Sequence, residues 1–83
     1  MNPPLNERPI FEIAHEIQKI WKNVSPHAQP YLDAMKYCDK PDDMYIYESA
    51  KTQVAYFLSN ASGWRGEDAR RIKKELKDMC DFN

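Results

Sequence analysis

Residues 56–77 read Tyr56-Phe57-Leu58-Ser59-Asn60-Ala61-Ser62-Gly63-Trp64-Arg65-Gly66-Glu67-Asp68-Ala69-Arg70-Arg71-Ile72-Lys73-Lys74-Glu75-Leu76-Lys77. An apolar-striped helix stops here and a basic helix starts, across a corner that holds both glycines of the chain with Trp64 between them. Glycine tolerates the left-handed angles of a tight reversal, and the spacing predicts that the Trp64 indole plugs the gap between the two helices. Upstream, Tyr47, Ala50, Val54, Phe57, Leu58 and Ala61 keep the helical period, so a third helix is expected over roughly 47–60. Its start lies between Asp43 and Glu48, and the strand propensity of Tyr45-Ile46-Tyr47 offers a short extended lead-in as the alternative. Downstream, Ala69, Ile72, Leu76 and Met79 form the inward side of the last helix, leaving most of its Arg and Lys on the other sides.

Towards the N-terminus, Ile10, Ile13, Ala14, Ile17, Ile20, Trp21 and Val24 recur at offsets of three and four, the stripe of an amphipathic first helix. Residues 1–8, with Pro3, Pro4 and then Pro9, read as an irregular N-terminal arm, and residues 9–83 as one helical domain. Ser25-Pro26 ends the first helix, and Pro30 disfavours helical angles at residue 29, which puts a turn at 25–29. A short second helix follows from Pro30 to Cys38, with Tyr31, Leu32, Ala34, Met35 and Cys38 on its buried side. The polar segment Asp39-Lys40-Pro41-Asp42-Asp43 is a loop, whose adjacent aspartates either cap the next helix or stay solvated. The fold expected is all-α: a small single-domain bundle of three main helices plus one short helix.

Twelve Lys and Arg stand against thirteen Asp and Glu, so the molecule as a whole has the balance of neither a basic nucleic-acid binder nor an acidic mimic. Two cysteines, Cys38 and Cys80, are too few for a disulfide framework. No charged n-region followed by an apolar h-region opens the chain and no apolar run reaches the roughly 20 residues of a membrane span, so a cytoplasmic protein without a membrane partner is expected. His15, His27 and the cysteines lack the short paired spacings of zinc ligands, and neither a metal nor a cofactor is expected. No catalytic residue is assigned: the chain shows no nucleophile–base constellation, and Gly63-Trp64-Arg65-Gly66 lacks the length and the Lys-Ser/Thr ending of a phosphate loop. The protein is read as non-enzymatic.

The candidate partner-binding residues are Arg65, Arg70, Arg71, Lys73, Lys74 and Lys77, since guanidinium and ammonium groups along one helix can hold phosphates or an acidic protein face. The competing reading is a solvated face held by Arg71–Glu75 and Lys74–Asp78 pairs at helical spacing. Most of residues 10–80 resembles small proteins encoded by tailed phages and mobile elements. The likeness lies in His27-Ala28-Gln29-Pro30-Tyr31-Leu32-Asp33-Ala34-Met35, in Tyr56-Phe57-Leu58-Ser59-Asn60-Ala61 and in the Trp64-to-Lys77 segment. Ile46 departs from that pattern, in which a glycine precedes the Tyr-acidic-Ser-Ala run. The resemblance implies no activity; it implies a setting, the cytoplasm of an infected host. In that setting the first reading is a binding protein that inhibits or modulates a host or defence protein, or binds a phage protein. The second is a nucleic-acid-binding accessory using helix 65–77, and the third a homo-oligomer whose surplus aromatics cover a partner copy.

Overall fold

The computed structural model describes residues 8–82. The arm expected over residues 1–8 therefore lies outside the described residues except for Arg8. Four helices, α1 (Ile10–Ile20), α2 (Gln29–Met35), α3 (Ala50–Ser59) and α4 (Glu67–Cys80), pack around one core. A small antiparallel hairpin, β1 (Met44–Tyr45) and β2 (Glu48–Ser49), precedes α3. The fold is the expected small, predominantly helical domain.

Each helix gives one stripe to the core: Ile10, Ile13, Ala14 and Ile17 from α1, Leu32 and Met35 from α2, Val54 and Phe57 from α3, and Ile72 and Leu76 from α4, all fully buried. α1 ends at Ile20, so Trp21 and Val24 of the expected stripe pack on the core from the following turn. Pro9 cannot cap α1 with a side chain, and the helix begins on a tertiary cap instead. The Ile10 and Phe11 amides donate to the carbonyls of Asp39 and Cys38, both at 2.8 Å. Two of the four orphan donors of the helix start are thus satisfied by the segment that follows α2.

The second helix is shorter than the sequence suggested. It begins at Gln29, which is helical despite preceding Pro30, and ends at Met35. Tyr37 and Cys38 then donate their amides three residues back, to Ala34 and Met35, in a tightened last turn.

The entry to α3 is the larger difference. Ser49 accepts the Thr52 amide with its hydroxyl at 3.2 Å and starts the helix there, so Tyr47 and Glu48 lie outside it. Asp43 caps no helix; its carboxylate accepts the amides of Asp39 at 3.0 Å and Lys40 at 2.9 Å and closes the 39–43 loop on itself. Between them, Tyr45 pairs with Glu48, leaving Ile46-Tyr47 as a two-residue loop. Ile46 has φ 59° whereas Tyr47 has a negative φ, the signs of a II′ turn, which favours glycine at its first position. A β-branched residue in this region is strained by about 1–3 kcal/mol. Ile46 is mostly exposed, so Ile46→Gly forfeits little burial. Glycine's added unfolded-state freedom offsets part of the relief, and a net gain of about 0.5–1 kcal/mol in thermal or denaturant unfolding is expected. A loss of stability would show that the isoleucine side chain, not the turn, holds the hairpin.

At the α3–α4 corner only Gly66 needs its glycine, with φ 109° and ψ −179° at the N-cap of α4. Gly63 has no positive φ. Trp64 is buried as expected, its ring stacked on Trp21 at 5.4 Å and 8°, and Phe57 meets Trp21 edge-on at 6.1 Å.

Candidate functional site

The six candidate cations of the last helix do not form one free face. Lys73 turns back to the corner, where its ammonium donates to the carbonyls of Ala61 and Trp64, both at 2.7 Å, and lies 5.9 Å from the Trp64 ring. It closes the α3–α4 connection and is lost to a partner. Burial depresses its pKa, with Lys77 and Arg65 adding to the effect. Arg71 donates to Glu16 at 3.0 Å and to Asp68 at 3.2 Å, in place of the Arg71–Glu75 pair expected from helical spacing. Lys74 makes the expected pair with Asp78 at 2.9 Å, an exposed contact worth about 0.3–0.5 kcal/mol. Arg65, Arg70 and Lys77 are exposed and make no ion pair among the described residues. Exposed Glu67, Asp68 and Asp78 stand among them, so the helix presents mixed charge.

Glu75 is taken by Arg8, which grips it bidentately with Nε to Oε2 at 3.0 Å and Nη2 to Oε1 at 2.8 Å. Arg8 Nη1 lies 2.7 Å from Glu16 Oε1 without the alignment of a hydrogen bond, so this contact is coulombic. The Glu75 hydrogen bond raises the Arg8 pKa, against the effect of burial. Arg8, Glu16, Asp68, Arg71 and Glu75 thereby tie the start of α1 to α4. The signal is invisible in sequence because Arg8 and Glu75 are 67 residues apart.

A second surface carries the unusual features. Tyr37 is 80% exposed, Met44 66%, Ile46 70% and Tyr47 90%. Tyr37 stacks on half-buried Tyr45 at 6.2 Å, which joins the end of α2 to the hairpin. Met44, Ile46 and Tyr47 thus expose large side chains on the hairpin and its strained two-residue turn, of residue types enriched at the centres of protein interfaces. Only the surplus of aromatics and the strand propensity of Tyr45-Ile46-Tyr47 hinted at it. Of the carboxylates nearby in sequence, Asp39 and Asp42 line a cleft with Arg8 and Lys40, Asp43 closes its own loop, and Glu48 accepts from the Gln53 side-chain amide at 3.0 Å. The Lys40 and Asp39 amides hold the Asp43 carboxyl below its usual range, so it stays ionised.

Elsewhere the chemistry is muted. Burial raises the Cys38 thiol and pushes that of Cys80 up to about 11, which suppresses the nucleophilic thiolate at neutral pH. A cleft of about 310 Å³ gathers Arg8, Asp39, Lys40 and Asp42 around Pro41 and Met79, a lining without hydroxyl, thiol or imidazole. Among the described residues no group of three His, Cys, Asp or Glu is placed to hold a metal ion, and no helix is long and apolar enough to cross a membrane. No protein-family model, curated protein or solved structure matches this chain.

Proposed function

We propose that this chain is a small non-enzymatic binding protein that acts on another protein through the tip formed by Tyr37, Met44, Ile46 and Tyr47. The observation that carries this reading is the exposed apolar turn held in a strained conformation at Ile46. Backbone strain of this kind clusters at functional sites, which is what recommends the turn as the contact surface. The resemblance to phage and mobile-element proteins supplies the setting: inhibition or modulation of a host or defence protein in the host cytoplasm. The basic helix takes a lesser part, because Lys73 and Arg71 are committed within the molecule and carboxylates interleave the rest. That mixture also weighs against the nucleic-acid reading, which needs a surplus of cations facing phosphate.

A photo-cross-linking amino acid placed at residue 47, and separately at residue 70, tests the proposal in bacterial lysate. Position 47 is expected to give one discrete protein adduct, competed by excess unlabelled chain but not by the Tyr47→Ala variant. Nucleic-acid adducts from position 70, with salt-sensitive retention on DNA or RNA lost in Arg70→Gln/Lys77→Gln, would instead establish the nucleic-acid function.

A further inference from the structure

We infer a second interaction surface, independent of the hairpin tip: the flank of α4 that faces α3, where Arg65, Arg70 and Lys77 stand beside the engaged Lys73 ammonium, receives an acidic helix of another protein. α4 carries mixed charge as a whole, but the folded molecule sorts the two signs onto different sides of the helix. Its buried stripe of Ala69, Ile72, Leu76 and Cys80 separates two flanks. On the flank toward α1, Asp68 accepts from Arg71, which also donates to Glu16, and Glu75 is gripped by Arg8. The opposite flank is fixed by Lys73, whose ammonium reaches the carbonyls of Ala61 and Trp64 just past the end of α3. Side chains three or four residues apart are neighbours on a helix surface, so Arg70 and Lys77 lie one turn to either side of Lys73. Arg65 joins them at the corner, next to the Trp64 carbonyl that Lys73 holds.

No carboxylate enters this run. α3 returns along α4 from the corner, since Lys51 near its start leans its ammonium over the Phe82 ring at 5.5 Å. No Asp or Glu occurs from Ala50 through Gly66, so neither α3 nor the corner brings a negative charge to the border. Glu67 and Asp78 fall in the row of Arg71 and Lys74, and Asp78 is taken by Lys74 at 2.9 Å. Asp81, the left-handed C-cap one turn beyond Lys77, forms no ion pair among the described residues and marks the end of the run. Burial leads the depression of the Lys73 pKa and Lys77 and Arg65 add to it, so these charges stand within one another's field. An anion laid over them relieves that repulsion.

The shape of the run selects the occupant. It is one row wide and bounded by the row that holds Glu67 and Asp78, so a duplex would press phosphates against carboxylates. A single strand gains from an aromatic platform for its bases, and Trp64, the aromatic of the corner, is buried against Trp21. A helix with carboxylates one turn apart matches the one-turn spacing of Arg70, Lys73 and Lys77, and the guanidinium groups of Arg65 and Arg70 offer paired donors to a carboxylate.

An NMR titration of the full chain with two synthetic helical peptides of identical composition tests this, one with its glutamates on a single face and the other with them dispersed around the helix. The one-faced peptide is expected to bind more tightly and to shift backbone amides between Arg65 and Lys77. Its affinity should fall about three- to tenfold for Arg70→Gln/Lys77→Gln, the yield of two exposed charge pairs. It should fall also at raised salt, and stay unchanged for Lys74→Gln and for Tyr47→Ala. Circular dichroism should be the same for all of these variants, whose side chains are exposed. No saturable binding, equal binding of the two peptides, or an equal loss with Lys74→Gln would overturn the surface and leave the tip reading standing. DNA or RNA bound more tightly than the peptide through Arg70 and Lys77 would make the occupant a nucleic acid and overturn the inference. Dimers dispersed by Arg70→Gln/Lys77→Gln would make it a second copy, with the same result.

Discussion

Trp64→Ala is expected to lower stability by about 3–5 kcal/mol, the range for truncating a buried tryptophan. Trp64 stands at the upper end of exposure for the core at only 6%, so nearly the whole indole would leave a cavity. Three partners feel its loss. Trp21 loses its stacked neighbour at 5.4 Å, Phe57 loses the platform that holds Trp21, and the Lys73 ammonium loses the ring beneath it. A chain of this length has roughly 4–12 kcal/mol of stability in total, so the variant is at the edge of folding at room temperature. Its melting temperature should drop by roughly 12–40 °C, taking about 4–8 °C per kcal/mol for a small domain. Trp64→Phe, which keeps an aromatic face toward Trp21, should recover a good part of this. A loss below about 1 kcal/mol would show that the corner closes without the indole.

The second large effect is at the N-terminal clamp. Arg8→Ala leaves Glu75, whose side chain is 13% exposed, without its bidentate partner. A surface pair contributes about 0–1 kcal/mol and a fully buried pair broken on one side costs 3–5. With Arg8 itself 25% exposed, the expected loss lies between, at about 1–3 kcal/mol in denaturant unfolding. The same network makes the protein acid-sensitive. Desolvation opposes ionisation of Glu16, but the hydrogen bond from Arg71 and the close Arg8 charge outweigh it and hold the carboxyl below its usual range. For Asp33 the Gln29 hydrogen bond leads, with Lys36 assisting against burial, in the same direction.

A carboxyl lowered on folding contributes stability that is complete above its unfolded pKa, about 3.9 for Asp and 4.3 for Glu, and lost as pH falls through its folded value. Stability should therefore hold from neutrality to about pH 5 and decline below it. In Arg8→Ala the decline should be shallower, since Glu16 then keeps only Arg71. An unchanged acid limb would mean that Glu16 owes nothing to Arg8.

The elements with a strong period were legible. Ile10, Ile13 and Ile17 announce α1, and Ile72 and Leu76 announce α4, because each burial site recurs on one face of one helix. Trp64 between glycines was legible as a plug, though the special backbone angle belongs to Gly66 alone. What escaped depends on the ends of elements and on long side chains. Tyr47 falls in phase with Ala50, yet it lies outside α3 because Ser49 takes the Thr52 amide and begins the helix after it. Lys73 has the sequence setting of a surface cation, but its four-carbon stem reaches carbonyls at Ala61 and Trp64 that only the folded corner brings near. Arg71 turns to Glu16 because α1 lies alongside, a fact no helical spacing contains. The candidate site moved accordingly, from charges that sequence displays to an apolar turn that only backbone geometry exposes.

The tertiary cap of α1 carries a last consequence. The carbonyls of Cys38 and Asp39 that receive the Ile10 and Phe11 amides belong to the same segment that leads into the hairpin and fastens to the start of α3 through the Asp43 carbonyl and the Ala50 amide. That loop cannot swing outward without uncapping the first helix, so its opening is coupled to loosening of the core rather than free as in an ordinary surface connection. The base of the hairpin is held in place before any encounter. A partner docking on the proposed tip would meet a framework with little conformational entropy left to surrender, which favours affinity without adding a contact.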